Sequence, residues 1–176
     1  NEYFLIWTTT PWTIPANVAI AVNPVLDYVK VENDGVYYWL AESRLNELNG
    51  EYKIIERKKG ANLKGKTYVM PYKDFEEQKD SPHKILLWDL VSGEDGTGIV
   101  HIAPGCGAED FALGKKENLP AISPLDDAGI YREGFGIFSL RKYSEVNKIV
   151  LEDLEKRRFV YKITQTRHRY PHCWRC

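Results

Sequence analysis

Cysteine is scarce in this sequence, and a long hydrophobic run is missing. The 176 residues include three cysteines, an odd number that argues against a framework of disulfide bonds and favours a reducing compartment. No apolar stretch approaches the roughly 20 residues that cross a bilayer, and no signal peptide is visible. We therefore expect a cytoplasmic protein with no membrane partner.

Net charge is nearly absent as well. The formal charge of −1 gives the chain no general electrostatic attraction to nucleic acid. The charges are unevenly placed, because all seven Lys and Arg residues after Glu155 are unaccompanied by any Asp or Glu: Lys156, Arg157, Arg158, Lys162, Arg167, Arg169 and Arg175. Such a segment can follow a phosphate backbone, or it can be an ordinary solvated edge.

The length suits one domain with a substantial core. Hydrophobic residues make up 43% of the chain and charged residues 28%, which is ordinary for a globular protein. The chain begins without Met and ends abruptly at Cys176. We therefore expect residues 1–176 to be a single domain cut from a larger protein.

Short strand patterns dominate the chain. Their content of Val, Ile, Tyr and Trp predicts strands at Tyr3–Trp7, Val18–Val22, Tyr28–Glu32, Val36–Leu40, Tyr52–Glu56, Tyr68–Met70, Lys84–Trp88, Gly98–Ile102, Ala121–Ser123 and Phe159–Thr164. Asp34-Gly35 predicts a hairpin turn. Helices are predicted at Glu42–Leu48, at Ala108–Glu117 and after a capping Ser144, with an apolar face of Val146, Ile149, Val150 and Leu154. The sum is an α+β fold: a mostly antiparallel, β-barrel-like domain with a few flanking helices.

A cluster of hydroxyl side chains stands near the N-terminus, where Thr8 to Asn17 reads TTTPWTIPAN. Threonines alone indicate only a strand edge. Pro11 and Pro15 lack the N–H that a continuing central strand needs, so the threonines enter a rigid, irregular loop. Such a loop can present several donors and acceptors to a small ligand.

A second segment, Gly96 to Phe111, reads GTGIVHIAPGCGAEDF. Its apolar strand carries His101, and alternation places this residue opposite Val100 and Ile102. If those two face the core, His101 faces a cavity or solvent; a satisfied core histidine is the alternative. Cys106 has no base beside it in sequence, which argues against a catalytic thiol.

Two acids, Glu109 and Asp110, stand in the first turn of the helix that follows. Acids at this position complement the helix dipole, so a purely structural role explains them. A helical wheel places Ala108, Phe111 and Ala112 on the apolar face and Asp110 opposite. Asp110 can then face a groove and hold an ammonium group by a charge-assisted hydrogen bond.

The C-terminal residues 170–176 read YPHCWRC and contain a Cys-x-x-Cys pair, Cys173 and Cys176. One such pair is half of a tetrahedral zinc site, and the sequence has no partner pair. A redox motif is the alternative, but the pair opens no βαβ unit. We interpret residues 170–176 as half a zinc knuckle at the start of an exit strand.

Together these segments resemble the CP1 editing insertion of isoleucyl-tRNA synthetases of class I. The quoted motifs and the Val22-Asn23-Pro24 tripeptide occur in the family's order, and the resemblance covers essentially the whole chain. Valyl and leucyl enzymes carry related insertions. Pro15-Ala16-Asn17, His101 and residues 170–176 favour the isoleucyl member, and a valyl editing domain is the alternative.

The resemblance implies a proofreading hydrolase that removes valine from mischarged tRNA(Ile), with valyl-adenylate as a second candidate substrate. By matching motif positions, it implies catalytic roles for Thr8, Thr9, Thr10 and Asp110, with Asp110 holding the ammonium group, and substrate-binding roles for His101, Trp12, Thr13 and Asn17. His101 would narrow the pocket to exclude isoleucine. The expected partners are the tRNA(Ile) acceptor end and the rest of the synthetase chain. No cofactor is expected for editing. A structural zinc ion is expected only in the full-length enzyme.

Two functions of other classes compete with this interpretation. The basic tail and aromatics such as Trp39 and Trp88 suggest a non-catalytic RNA-binding barrel, which needs stacking aromatics and basic residues on one face. Cys173 and Cys176 suggest a zinc-ribbon interaction module. A deacylation assay distinguishes a non-catalytic RNA-binding barrel from an editing enzyme. Metal analysis tests for the zinc-ribbon module.

Overall fold

The computed structural model of the chain describes residues 1–165. Its strands are β1 (Glu2–Phe4), β2 (Ala19–Val22), β3 (Asp27–Asn33), β4 (Val36–Ala41), β5 (Lys53–Lys59), β6 (Lys84–Leu87) and β7 (Ile99–Ile102). Its α-helices are α1 (Ala108–Glu117) and α2 (Tyr143–Lys156), and its short 3-10 helices are Pro11–Ala16, Glu42–Glu47, Gly60–Leu63, Glu76–Gln78 and Gly136–Phe138. The α+β class predicted from sequence is confirmed. Residues 170–176, with the predicted zinc half-site, lie outside the described residues.

The strands form two sheets. The first has the order β1-β4-β3-β5, with β1 parallel to β4 and the other pairs antiparallel. The predicted hairpin joins β3 and β4, and its two turn residues, Asp34 and Gly35, have the positive φ angles of 51° and 77° that such a turn requires.

The second sheet carries part of the candidate site. Its order is β6-β2-β7, with β2 parallel to β6 and antiparallel to β7. All four residues of β2 are buried because the strand is central and both its faces are covered. The register places Ile20 opposite His101, so pairing with β2 fixes the position of His101 along the sheet.

The sequence predicted a β-barrel-like domain, but no barrel closes within residues 1–165, where both sheets are open. The links between them include the bridge of Trp7 with Val100, a hydrogen bond from the Tyr28 hydroxyl to the Gly98 carbonyl at 2.7 Å, and one from the Ala41 N–H to the Thr97 carbonyl. Gly98 permits this contact, because a Cβ there would lie 2.4 Å from the Ala41 Cβ. The strands are short, and the proline-containing segment 11–16 interrupts the ladder before closure.

Several predicted elements differ in detail. Tyr68–Met70 makes no strand: only Thr67 bridges to Lys84 before Pro71. The 121–123 segment lies between Pro120 and Pro124, which cannot donate to a ladder, and is irregular.

The remaining differences concern the helices and the C-terminal strand. Residues 159–164 form no strand, and Tyr161 instead bonds to Asn33 through its hydroxyl. The helix expected at 42–48 is the 3-10 helix Glu42–Glu47. Ser144 is not a cap, because α2 already begins at Tyr143.

Helix α2 packs on the core through the predicted face. Val146, Val150 and Leu154 are buried, and Ile149 is partly buried against the same cluster. Each fully buried side chain of this size contributes roughly 1.5–3 kcal/mol. In residues 1–165, no helix is long and apolar enough to span a bilayer.

Candidate functional site

The site is a cleft of about 360 Å³ between the threonine segment, β7 and the start of α1. Its volume lies near the lower end of the range of roughly 300–1,000 Å³ for small-molecule sites. The lining residues are Thr10, Thr13, His101, Ala103, Cys106, Gly107, Ala108, Glu109 and Asp110. The two segments singled out in the sequence therefore meet at one place.

The threonine segment enters a short 3-10 helix, Pro11–Ala16, instead of the irregular loop predicted. Both backbone groups of Trp12 are bound from distant segments. Its N–H donates to Asn147 Oδ1 of α2 at 3.0 Å, and its carbonyl accepts a hydrogen bond from the Tyr131 hydroxyl. Asn147 and Tyr131 thus hold the segment in place, and no local pattern in the sequence marks them for this role.

The threonine hydroxyls differ in their contacts. Thr13 Oγ1 donates to the Thr10 carbonyl at 2.8 Å. Thr8 Oγ1 accepts the Thr10 N–H at 3.1 Å and lies 3.5 Å from His101 Nε2, beside the cleft lining. Thr9 is exposed and does not line the cleft. Three hydroxyls, those of Thr8, Thr10 and Thr13, therefore cluster around one imidazole.

His101 lies in β7 and forms part of the cleft wall. Its Nε2 is 3.0 Å from Thr13 Oγ1, and its Nδ1 is inaccessible to solvent without a hydrogen-bond partner. Burial lowers the pKa of His101 to about 4, so the ring is neutral at pH 7. Strand alternation alone does not describe the burial of β7: Ile99 and Ile102 are fully buried, and Val100 only partly.

Asp110 is the third residue of α1. Its Oδ2 accepts the Ala103 N–H at 2.8 Å. Burial raises the pKa of Asp110, the Ala103 N–H opposes that shift, and the neighbouring Glu109 adds to it. No basic side chain in residues 1–165 forms a salt bridge with Asp110, although the cleft would gain from a cation there.

The helical wheel drawn from the sequence is wrong for α1. Phe111 is 43% exposed, whereas Leu113 and Gly114 are buried. Asp110 lies three and four residues before this pair and so faces inward with it. Gly114 allows the close packing, since a Cβ there would lie 2.8 Å from Pro104 Cγ. Asp110 reaches the cleft because it shares the inward face of α1.

Cys106 is part of the wall and is not an activated nucleophile. Burial, with a smaller effect of Asp110, raises the pKa of its thiol to about 12. The thiol therefore stays protonated near neutral pH, and only thiolates react rapidly as nucleophiles.

Two predicted binding residues act inside the protein instead of at the cleft surface. Asn17 is buried; its amide donates to the Ala19 carbonyl at 2.7 Å and its oxygen accepts from the Tyr68 hydroxyl. The Trp12 ring packs edge-on against Tyr143, with 6.0 Å between ring centroids. Neither residue lines the cleft.

No metal site is evident in the described part of the chain. Residues 1–165 contain no group of three His, Cys, Asp or Glu side chains placed to hold an ion. Cys173 and Cys176, predicted as half a zinc site, lie beyond residue 165.

The cleft has the chemistry for a small cationic molecule. Asp110 offers a carboxylate oxygen that no basic side chain of residues 1–165 pairs with, and Thr10 offers a hydroxyl on the same cleft, with Thr8 and the neutral imidazole of His101 beside it. An ammonium group on one side and an ester or hydroxyl group on the other would match these partners.

Sequence comparison identifies relatives of the whole chain. It is 43% identical over its full length to the isoleucine--tRNA ligase of Pyrococcus horikoshii and 44% identical to that of Fervidobacterium nodosum. It spans only 18% and 19% of these relatives. No model of a known protein family matches the chain.

Solved structures agree on the fold. The crystal structure of GlLeuRS-CP1 has a TM-score of 0.72 at 16% identity, covering 93% of this chain and 84% of that one. The editing domain of the P. falciparum cytosolic leucyl-tRNA synthetase has a TM-score of 0.67 at 14% identity, covering 88% of this chain and 76% of that one. The resemblance to synthetase editing domains is confirmed.

Proposed function

Since the whole chain corresponds to one segment of isoleucine--tRNA ligases, we propose that it is their proofreading hydrolase. Its substrate would be valine esterified to the terminal ribose of tRNA(Ile), and water would cleave that ester. The observation that carries the proposal is the convergence of Thr10, Thr13, His101 and Asp110 on one cleft of small-molecule size. The relatives and the editing-domain fold support it.

The chemical need for such a site is a small difference between two amino acids. Isoleucine exceeds valine by one methylene, and isoleucyl enzymes are the standard example of a limit of about 1–3 kcal/mol for discrimination in an apolar pocket. A second site that hydrolyses the wrong product supplies the missing selectivity. The restricted volume of the cleft and the His101 ring in its wall suit this size test.

Each part of the cleft then has a role. The ammonium group of the substrate binds the free oxygen of Asp110, and this neutralises a carboxylate whose pKa burial has raised. The hydroxyls of Thr8 and Thr10 orient the ester and the attacking water. His101 closes the wall against a larger side chain.

Activation of the water relies on placement. The Cys106 thiol is protonated, because burial raises its pKa to about 12, and burial lowers the pKa of His101 to about 4. The ribose hydroxyl of the tRNA next to the ester would instead relay the proton that the attacking water gives up. Holding water and ester in reacting geometry supplies a large share of such rate enhancements.

The partners follow from the substrate. We infer that the cleft receives the acceptor end of tRNA(Ile), delivered by the rest of the synthetase chain. Valyl-adenylate is a second candidate substrate, because it presents the same ammonium group beside an acyl bond, a mixed anhydride with phosphate, that is more labile than the ester. The RNA-binding alternative is disfavoured because Trp39 is fully buried and Trp88 packs on the core, so neither offers a stacking face.

The substitution Asp110→Asn tests the proposal. It keeps an acceptor for the Ala103 N–H but removes the charge. A hydrogen bond to a charged group contributes about 1.5–3 kcal/mol, so kcat/KM for valyl-tRNA(Ile) deacylation should fall roughly 10- to 150-fold. Release of labelled valine from charged tRNA, measured in the full-length synthetase, reports the effect.

Glu145→Gln provides a matched control. Glu145 is also the third residue of an α-helix, but it is exposed on α2 and does not line the cleft. The control removes the same charge from the same helical position and should leave deacylation unchanged. Equal rates for the wild-type protein and Asp110→Asn would contradict the proposed ammonium site, and a wild-type protein that binds but never deacylates would favour an RNA-binding module.

A further inference from the structure

The hydroxyl proton of Thr13 is already used in a hydrogen bond within the protein. Thr13 is only 5% exposed, and its single hydroxyl proton is donated to the Thr10 carbonyl at 2.8 Å. Its oxygen can then act only as an acceptor towards other neighbours. The group that lies 3.0 Å away, His101 Nε2, must therefore carry a hydrogen atom.

The other ring nitrogen leads to the same tautomer. His101 Nδ1 has no accessible surface and no hydrogen-bond partner. A hydrogen atom there would be a buried donor without an acceptor, which is rarer and costlier in proteins than an unpaired acceptor. Both nitrogens of the neutral ring thus favour a hydrogen on Nε2 and a lone pair on Nδ1.

Thr8 and Thr10 are different. Their hydroxyl oxygens are 3.4 Å apart, and Thr10 Oγ1 is 3.4 Å from Thr13 Oγ1. These distances exceed the roughly 2.5–3.0 Å of normal O–H···O hydrogen bonds. The hydroxyl protons of Thr8 and Thr10 remain free to turn towards a ligand, whereas that of Thr13 does not.

We propose that Thr13 is a positioning residue that holds His101 in the Nε2–H tautomer. In this form the ring has no accessible lone pair, because Nδ1 is enclosed and Nε2 is a donor. His101 cannot then remove a proton from an ammonium group in the cleft, and the cation stays available to Asp110. The inference deepens the proofreading function proposed above and depends on it only for this consequence.

The experiment is nitrogen-15 NMR of the histidine rings in the 176-residue chain at pH 7. Burial lowers the pKa of His101 to about 4, so the neutral ring is observed. In the wild-type spectrum, the His101 ring should show a protonated Nε2 and an unprotonated Nδ1. Thr13→Val, which keeps the shape but removes the acceptor, should lower the ratio of the two tautomers about five-fold, as the loss of one hydrogen bond of about 1 kcal/mol implies.

Two further variants make the result specific. Thr13→Ser restores the hydroxyl and should return the wild-type spectrum. Thr67→Val, which changes an exposed threonine that bridges to β6, should leave the His101 signals unchanged. A wild-type ring protonated on Nδ1 would overturn the inference even if Thr13→Val did not fold, and so would a folded Thr13→Val with the wild-type tautomer ratio.

Deacylation assays of the same variants separate this inference from the proposed function. Thr13→Val should reduce valine release and Thr13→Ser should rescue it. The expected NMR pattern in a protein without deacylase activity would reject the function and retain the tautomer assignment. Normal proofreading in a wild-type protein whose His101 ring shows both tautomers would reject the tautomer assignment and retain the function.

Discussion

Acid should destabilise this protein in part through His101. Burial lowers the pKa of His101 to about 4 from an ordinary value of 6.5, so the unfolded chain binds the proton first. The stability that the neutral ring contributes is complete above pH 6.5 and is lost as the pH falls towards 4. Between pH 7 and pH 5, linkage gives a loss of about 2 kcal/mol in the free energy of unfolding.

The substitution His101→Gln isolates this contribution, because glutamine does not titrate and keeps an N–H donor for Thr13. Urea denaturation at both pH values gives the free energy of unfolding of each protein. The wild-type protein should lose about 2 kcal/mol more than the variant. Asp110, Glu109 and Cys106 line the same cleft and are present in both proteins, so the comparison reports the difference that His101 makes.

An equal loss in both proteins would refute the reasoning. It would mean that His101 titrates as in an open chain, and that the imidazole is hydrated instead of enclosed. The assignment of His101 as a neutral wall of the cleft would then be wrong as well, because both conclusions depend on the same burial.

Two further predictions concern specificity and support of the cleft. His101→Ala should enlarge the cleft and begin to release isoleucine from correctly charged tRNA(Ile), at a rate raised by roughly ten-fold or more; unchanged discrimination in that assay would exclude His101 from the size test. Asn147→Ala leaves the Trp12 N–H without its partner and should lower stability by about 1–3 kcal/mol in thermal or urea denaturation, together with the deacylation rate. The exposed neighbour Lys148→Ala should change stability by less than about 0.5 kcal/mol, and an equal effect of both would exclude a specific role for Asn147.

The elements that the sequence predicted well depend on neighbours along the chain. The bounds of α1 and the hairpin at Asp34-Gly35 follow from local turn and helix chemistry. The buried face of α2 follows from a clear helical period. The elements that it predicted wrongly, such as strands at 121–123 and 159–164, depend on which backbone groups find a partner elsewhere.

The orientation of Asp110 shows a different limit. A ten-residue helix with few apolar residues has no strong period, so the wheel chose Phe111 for the core. The structure buries Leu113 and Gly114 because Pro104 offers a surface that only a glycine can approach. The packing partner, and not the composition of the helix, selected the inward face.

By itself the sequence determined the α+β class, the two segments that form the cleft and the kind of groups that they carry. These follow from local periodicity, turn residues and motif resemblance. Only the tertiary structure decided that Thr13 meets His101 across 88 residues and that Asn147 holds Trp12 across 135. The reason is physical: a contact between distant residues depends on how the whole chain packs, and no local pattern records which hydroxyl proton, lone pair or carboxylate is left free.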